Sequence, residues 1–248
     1  MKCPRAFFLV FAVATTLSGC VSTKYEMASK DTPPAVPLNI ATVQPPVALK
    51  VSTVISYKGP GSWKQEALWD EYVVVIHNQG DQPLTIRAAA LLDPGGEPRA
   101  PGSDPWDLEK ESQTLEQRYL RAGVAFVRAA GPGVLILGAG AAAVASAGIF
   151  SAAAGTAATA TVIALPVYYV VVFSVNHSNK NDVVAEFARR RLNLPLTLTP
   201  GESRTGSLFF PMTPNPQALN LQYLSAQAAG EAVLTLEALH GLHVKNEN

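Results

Sequence analysis

The stretch Val47-Ala48-Leu49-Lys50-Val51-Ser52-Thr53-Val54-Ile55-Ser56-Tyr57 decides the fold class. Val47, Leu49, Val51, Thr53, Ile55 and Tyr57 alternate on one face, with Lys50, Ser52 and Ser56 opposite. A period of two with β-branched residues marks a half-buried strand. Gly59-Pro60-Gly61 breaks the run. Residues 72–76 are a nearly unbroken apolar strand, followed by the polar turn Asn78-Gln79-Gly80-Asp81. Residues 83–92 form the next strand, and Asp93-Pro94-Gly95-Gly96 closes the block.

The β pattern resumes over residues 193–244. Leu194, Leu196 and Leu198 alternate, Pro200-Gly201 turns, and strands follow at 207–210, 218–223 and 232–236. That makes three strands before the middle of the chain and four after it. Neither half buries enough apolar surface alone. Together, residues 47–102 and 193–244 predict one discontinuous antiparallel β-sandwich, and the chain reads as α+β. The strand–turn–strand at 72–86 and the 196–210 segment with its Pro-Gly-Glu turn resemble the immunoglobulin-like modules of bacterial surface lipoproteins. The resemblance implies a fold and no chemistry.

Residues 103–192 read as a helical insertion. Asp104-Pro105 supplies an N-cap acid and a first-turn proline. Leu108, Ser112, Leu115, Tyr119, Ala122 and Phe126 recur at helical spacing, which predicts a face packed on the sandwich. Residues 182–192 predict a second, short helix capped by Asn181. Arg189, Arg190 and Arg191 fall at its C-terminal end. There they either complement the helix dipole or contact anionic headgroups.

Between these helices, residues 129–179 contain no Asp, Glu, Lys or Arg. One spanning helix needs about 20 apolar residues, so the run has room for a hairpin. Gly138 begins one row of small residues, and Ala139, Ala143, Ala147, Ser151, Gly155 and Thr159 form another at every fourth position. Such rows let helix backbones approach closely in lipid. They resemble the glycine-zipper segments of outer-membrane lipoproteins. Because the two sandwich halves must pair, both ends of the run lie on one side of any membrane, so the number of crossings is even. The alternative is a hairpin buried within protein.

The N-terminus carries Lys2 and Arg5, then an apolar run at residues 6–16, then Leu17-Ser18-Gly19-Cys20. The order and lengths predict a signal peptide over residues 1–19, too short to span a bilayer. Leu17-Ser18-Gly19-Cys20 resembles the lipobox of bacterial lipoproteins. The resemblance implies cleavage between Gly19 and Cys20 and acylation of Cys20. Val21 stands where an Asp usually marks inner-membrane retention, which implies the outer membrane with the body in the periplasm. Residues 20–46 contain Pro33, Pro34, Pro37, Pro45 and Pro46 and predict an extended tether. At about 3.1 Å per residue its reach would be roughly 80 Å.

Composition narrows the rest. The chain holds 19 basic and 19 acidic residues, and loss of Lys2 and Arg5 leaves a slight acidic excess. No basic excess points to nucleic acid. Its 2 cysteines, Cys3 and Cys20, leave no disulfide in a processed, acylated chain. Residues 134–143 look like the strand and glycine turn of a dinucleotide site, but no acid follows about 20 residues on. His240 and His243 fit one helix face but lack a carboxylate or cysteine cluster, so a solvated tail and no metal are expected. Asp70 and Glu71 border a strand and are expected to be solvated. The expectation is therefore non-catalytic, with no cofactor: an envelope protein whose partners are membrane lipid through Cys20 and an envelope protein or its own copies through the hairpin. A binding module or accessory subunit with a buried hairpin is the alternative.

Overall fold

The computed structural model describes residues 26–28, 34–128, 179–226 and 228–245. The described residues are α+β, with two antiparallel sheets packed face to face and, among those residues, two helices on the outside. The strands are β1 (Glu26–Met27), β2 (Ile40–Gln44), β3 (Val47–Ile55), β4 (Lys64–Gln65), β5 (Trp69–Asn78), β6 (Leu84–Leu92), β7 (Pro98–Arg99), β8 (Leu196–Leu198), β9 (Ser203–Pro211), β10 (Ala218–Ser225) and β11 (Ala229–Thr235). The helices are α1 (Pro105–Arg121) and α2 (Asn179–Arg190). One sheet runs β2-β3-β5-β9. The other runs β11-β10-β6, and the far edge of β6 is shared by β7 and β8. A small ladder joins β1 to β4.

Aliphatic side chains from both sheets fill the sandwich, including Val47, Leu49, Val51, Val74, Ile76, Leu84, Ile86, Leu219, Leu221 and Leu234. The alternation read from β3 holds only to Val51. A register shift between Val51 and Thr53 inserts a bulge, after which Val54 turns to the core. A bulge puts two residues opposite one and so flips every later side chain. Thr53 accordingly leaves the core face, and its hydroxyl donates to the Val36 carbonyl at 2.7 Å. Tyr57 joins a separate cluster with Leu68, Phe126 and Met212.

The expected tether ends far earlier than residue 46. Leu38 is buried in the sandwich, Ile40–Gln44 is a strand, and Pro45-Pro46 is the two-residue turn into β3. Proline is compatible with an edge strand's turn, which is where the fold puts it. The Gln44 side chain also reaches the other sheet. Its Nε2 donates to the Val233 carbonyl at 3.0 Å and its Oε1 accepts from the Val233 amide at 3.1 Å. One side-chain amide thereby substitutes for a ladder pair between the β2 and β11 edges.

Helix α1 starts as its sequence predicts. Asp104 Oδ1 accepts from the amides of Trp106 and Asp107, with Pro105 in the first turn. The apolar stripe stops sooner than expected. Gly123, at φ +79°, ends the helix in a left-handed conformation, so Ala122 is exposed and Phe126 lies beyond the helix, stacked on Tyr119 at 6.2 Å. Helix α2 begins at Asn179, so Asn181 is inside it and exposed rather than its cap. The signal peptide, Gly19, Cys20 and nearly all of the charge-free run, with Gly138, Ala139, Ala143, Ala147, Ser151, Gly155 and Thr159, lie outside the described residues.

Candidate functional site

The outer face of the four-stranded sheet carries the most unusual chemistry among the described residues. Trp69 of β5 and Phe209 of β9 point outward there, away from the sandwich. Phe187 of α2 stacks on Phe209 at 4.1 Å, and Trp69 meets both rings edge-on at 5.4 and 5.2 Å. Leu108 of α1, Val183 of α2 and Trp63 complete the cluster, with Met27 of β1 packed against it. Gly102 is required at the approach to α1, because a Cβ there would lie 2.3 Å from the Leu108 side chain. Both helices that flank the charge-free run, and the segment that follows Cys20, are therefore docked on one platform.

Charges are buried within this platform. Glu71 is fully buried, contrary to its expected solvation. It accepts from Trp63 Nε1, from Ser207 Oγ at 2.6 Å and from Arg190 at 3.4 Å. Lys64 is 2 % exposed, donates to the carbonyls of Ala67 and Trp69, and lies 4.2 Å above the Trp69 ring. Burial lowers its pKa to about 8, partly opposed by Asp70, Glu71 and Glu109. Glu109 of α1 is buried as well and accepts from the Leu68 amide. Arg189 and Arg190 both bind Glu186. Burial pushes the Glu186 carboxyl up, but hydrogen bonds and charge from the two arginines outweigh it and hold it below the usual range.

The three arginines thus have different fates. Arg190, 14 % exposed, is turned into the protein between Glu186, Glu71 and the Trp63 ring. That position makes it a link between helix and sheet and takes it out of the expected headgroup contact. Arg191 donates to Asn193 and to the Ser103 carbonyl. Arg189, 42 % exposed, is the most open of the three.

A second polar group fixes the chain just before the charge-free run. Asp70, also fully buried against expectation, lies 2.7 Å from His243 Nε2, and His243 Nδ1 lies 3.1 Å from the Val127 carbonyl. Both partners are positioned as acceptors for the imidazole. The Val127 amide donates in turn to the His243 carbonyl, and the Lys245 amide to that of Ala125. The expected solvated tail is therefore a buried latch through Leu242 and His243. His240 is exposed and lines a shallow groove with Pro216, Gln217, Leu236 and Glu237. The two histidines do not share a helix face, since the 3-10 turn Glu237–Leu239 ends before them. Beside the same C-terminal end of α1, Asp93 accepts from Arg99, Tyr119 and the amides of Gly95 and Glu97. Burial raises the Tyr119 pKa to about 12, assisted by Asp93.

Among the described residues, no group of three His, Cys, Asp or Glu could hold a metal ion. No described helix is long and apolar enough to cross a membrane. No protein-family model, curated protein or solved structure matches the chain.

Proposed function

We propose that this chain is a non-catalytic lipoprotein of the outer membrane, anchored through Cys20 and facing the periplasm. Its sandwich carries a Gly/Ala-rich insertion that contacts the membrane and organises the envelope or binds a partner there. The observation that carries this reading is the common platform. Helices α1 and α2, which flank the charge-free run, both seat on the Trp69–Phe209 cluster. An even number of crossings needs both ends of the run on one side of the membrane, and a shared seat for the flanking helices supports that reading.

The surface supports the same reading. Large exposed hydrophobics among the described residues are Leu120, Val184 and Leu224, which form no broad face able to cover a run of this length. On this reading the run's apolar partner is lipid, its own copies or another protein. The buried acids Glu71, Glu109 and Asp93 accept from internal donors instead of lining a cavity, which favours a structural role over a reaction. The strand orders favour an immunoglobulin-like sandwich. Consecutive strands switch sheets at β5–β6, β8–β9 and β9–β10, and the β10–β11 hairpin lies beside β6.

The test is a Cys20→Ala variant with its signal peptide kept, followed by carbonate extraction of membranes. Retention in the pellet is the expected result. Complete release would leave the acyl chains as the sole anchor and favour an accessory subunit with a buried hairpin.

A further inference from the structure

We propose that the surface formed by β1 and the exposed side of α2 lies against the lipid bilayer. This rests on the reading of Cys20 as the acylated residue. Only five residues separate Cys20 from Glu26, the first residue of β1. Six steps of extended chain span at most about 20 Å, so the body cannot stand off at the distance a long tether would allow.

The leash also ends at a defined place. Glu26 pairs with Gln65 and Met27 with Lys64, and the Ala28 amide donates to the Trp63 carbonyl at 2.9 Å. Met27 then packs on the cluster that contains Val183 and Phe187 of α2. Helix α2 begins at Asn179, the last residue of the charge-free run. An acylated terminus and a bilayer-compatible segment therefore converge on one element. Two attachments at one side of a rigid body turn that side toward the surface holding them.

The chemistry of α2 suits that placement. Val183 and Phe187 face the sheet, while Val184, Ala185 and Ala188 are exposed. Val184 is 36 % exposed, and Arg189 flanks this small apolar strip with its guanidinium held by Glu186. Asp182 is the exposed anion of the same helix and sits in its first turn, where the dipole favours it. A Val/Ala strip of this size cannot hold a bilayer by itself, so the two attachments set the placement and the strip tolerates it.

Once Cys20 is acylated and Cys3 removed, the chain offers no other thiol, so a single introduced cysteine can be labelled cleanly. The full-length protein, labelled with a fluorophore at Ala188→Cys, is reconstituted in vesicles of phosphatidylethanolamine with a minority of phosphatidylglycerol. A nitroxide on the lipid headgroups serves as quencher. Leu224→Cys, on the opposite sheet, is the reference. The expected result is severalfold stronger quenching at residue 188 than at residue 224. Equal quenching, or stronger quenching at 224, overturns the proposed face while leaving the anchor intact. Mass spectrometry of the N-terminal peptide reads the anchor separately: an unacylated Cys20 overturns both the anchor and the face.

Discussion

On its inner side the four-stranded sheet meets the sandwich through Val47, Leu49, Val51, Val74 and Ile76; on its outer side it meets two helices through Trp69, Glu71, Ser207 and Phe209. The inner contact is aliphatic and is set by alternation along strands. The outer contact combines large rings with Lys64, Glu71, Glu109, Glu186 and Arg190, all largely withdrawn from water. Those groups come from segments far apart in the chain. Aliphatic packing tolerates small shifts, whereas a buried carboxylate with three donors accepts one geometry. The inner face therefore holds the domain together, and the outer face fixes how the roots of the insertion are oriented.

Removing one partner from the outer network is the strongest way to break this comparison. Glu71→Leu leaves the Trp63 indole and the Ser207 hydroxyl without their acceptor and takes one of two carboxylates from Arg190, and is expected to lower stability by about 4 kcal/mol in urea unfolding. Glu71→Leu combined with Arg190→Met removes both ends of the ion pair and should recover at least about 1 kcal/mol of that loss. A double variant no more stable than the single one would show that shape, not charge pairing, fixes the outer face.

The matching change inside the sandwich is Leu221→Ala, on the buried side of β10. The deletion leaves a cavity and is expected to cost about 3 kcal/mol. No ionisable group belongs to this cluster apart from the edge residue Tyr223 and Tyr72, whose burial keeps it protonated. The loss should therefore be the same in urea melts at mildly acidic and mildly alkaline pH. A loss that changes across that range would mean the two faces are energetically coupled.

Lys64 supplies a dependence the sandwich lacks. Its folded pKa is about 8 against an ordinary 10.5, so between these values the unfolded chain binds more protons than the folded one. Stability contributed by this site consequently rises with pH through that window, by on the order of 2 kcal/mol between pH 8 and 10. Below the window the lysine is charged in both states. Lys64→Met removes the titration, so the stability of the native chain minus that of the variant should rise by that amount over the window. A constant gap would place the ammonium in contact with solvent.

Much of this architecture could be read from the chain, and the failures have specific physical causes. The strands read at 47–57, 72–76, 83–92 and 207–210 overlap β3, β5, β6 and β9, the first running two residues and the third one residue past the observed ends, because alternation and turn residues act locally. The start of α1 followed from Asp104-Pro105 for the same reason. Strand β2 was hidden because Pro45 and Pro46, which form its hairpin turn, read equally well as a linker. The bulge after Val51 left no mark in composition. The candidate site was nearly illegible. Glu71 and Asp70 looked like strand-border charges, and the partners that bury them, Arg190 and His243, come from well over a hundred residues downstream. One signal was available: residues 72–76 are apolar on both faces, and a strand apolar on both faces needs cover on both.

The smallest expected effect tests where the two sheets are joined at their edges. Gln44 exchanges both of its amide hydrogen bonds with the Val233 backbone, and β2 and β11 would otherwise present adjacent open edges. Gln44→Ala leaves a partly buried N–H and C=O without that partner and should cost about 1 kcal/mol. Amide hydrogen exchange at Val233 should quicken while that of central β5 amides stays unchanged. Gln44→Glu separates the two bonds. The carboxylate can still accept from the Val233 amide but turns a second acceptor toward its carbonyl, so at neutral pH the acid should be at least as damaging as alanine. A variant that instead matched native stability would show that the edge is closed by the surrounding strands, and that a neutral amide there is incidental in a way the ionic groups of the outer face are not.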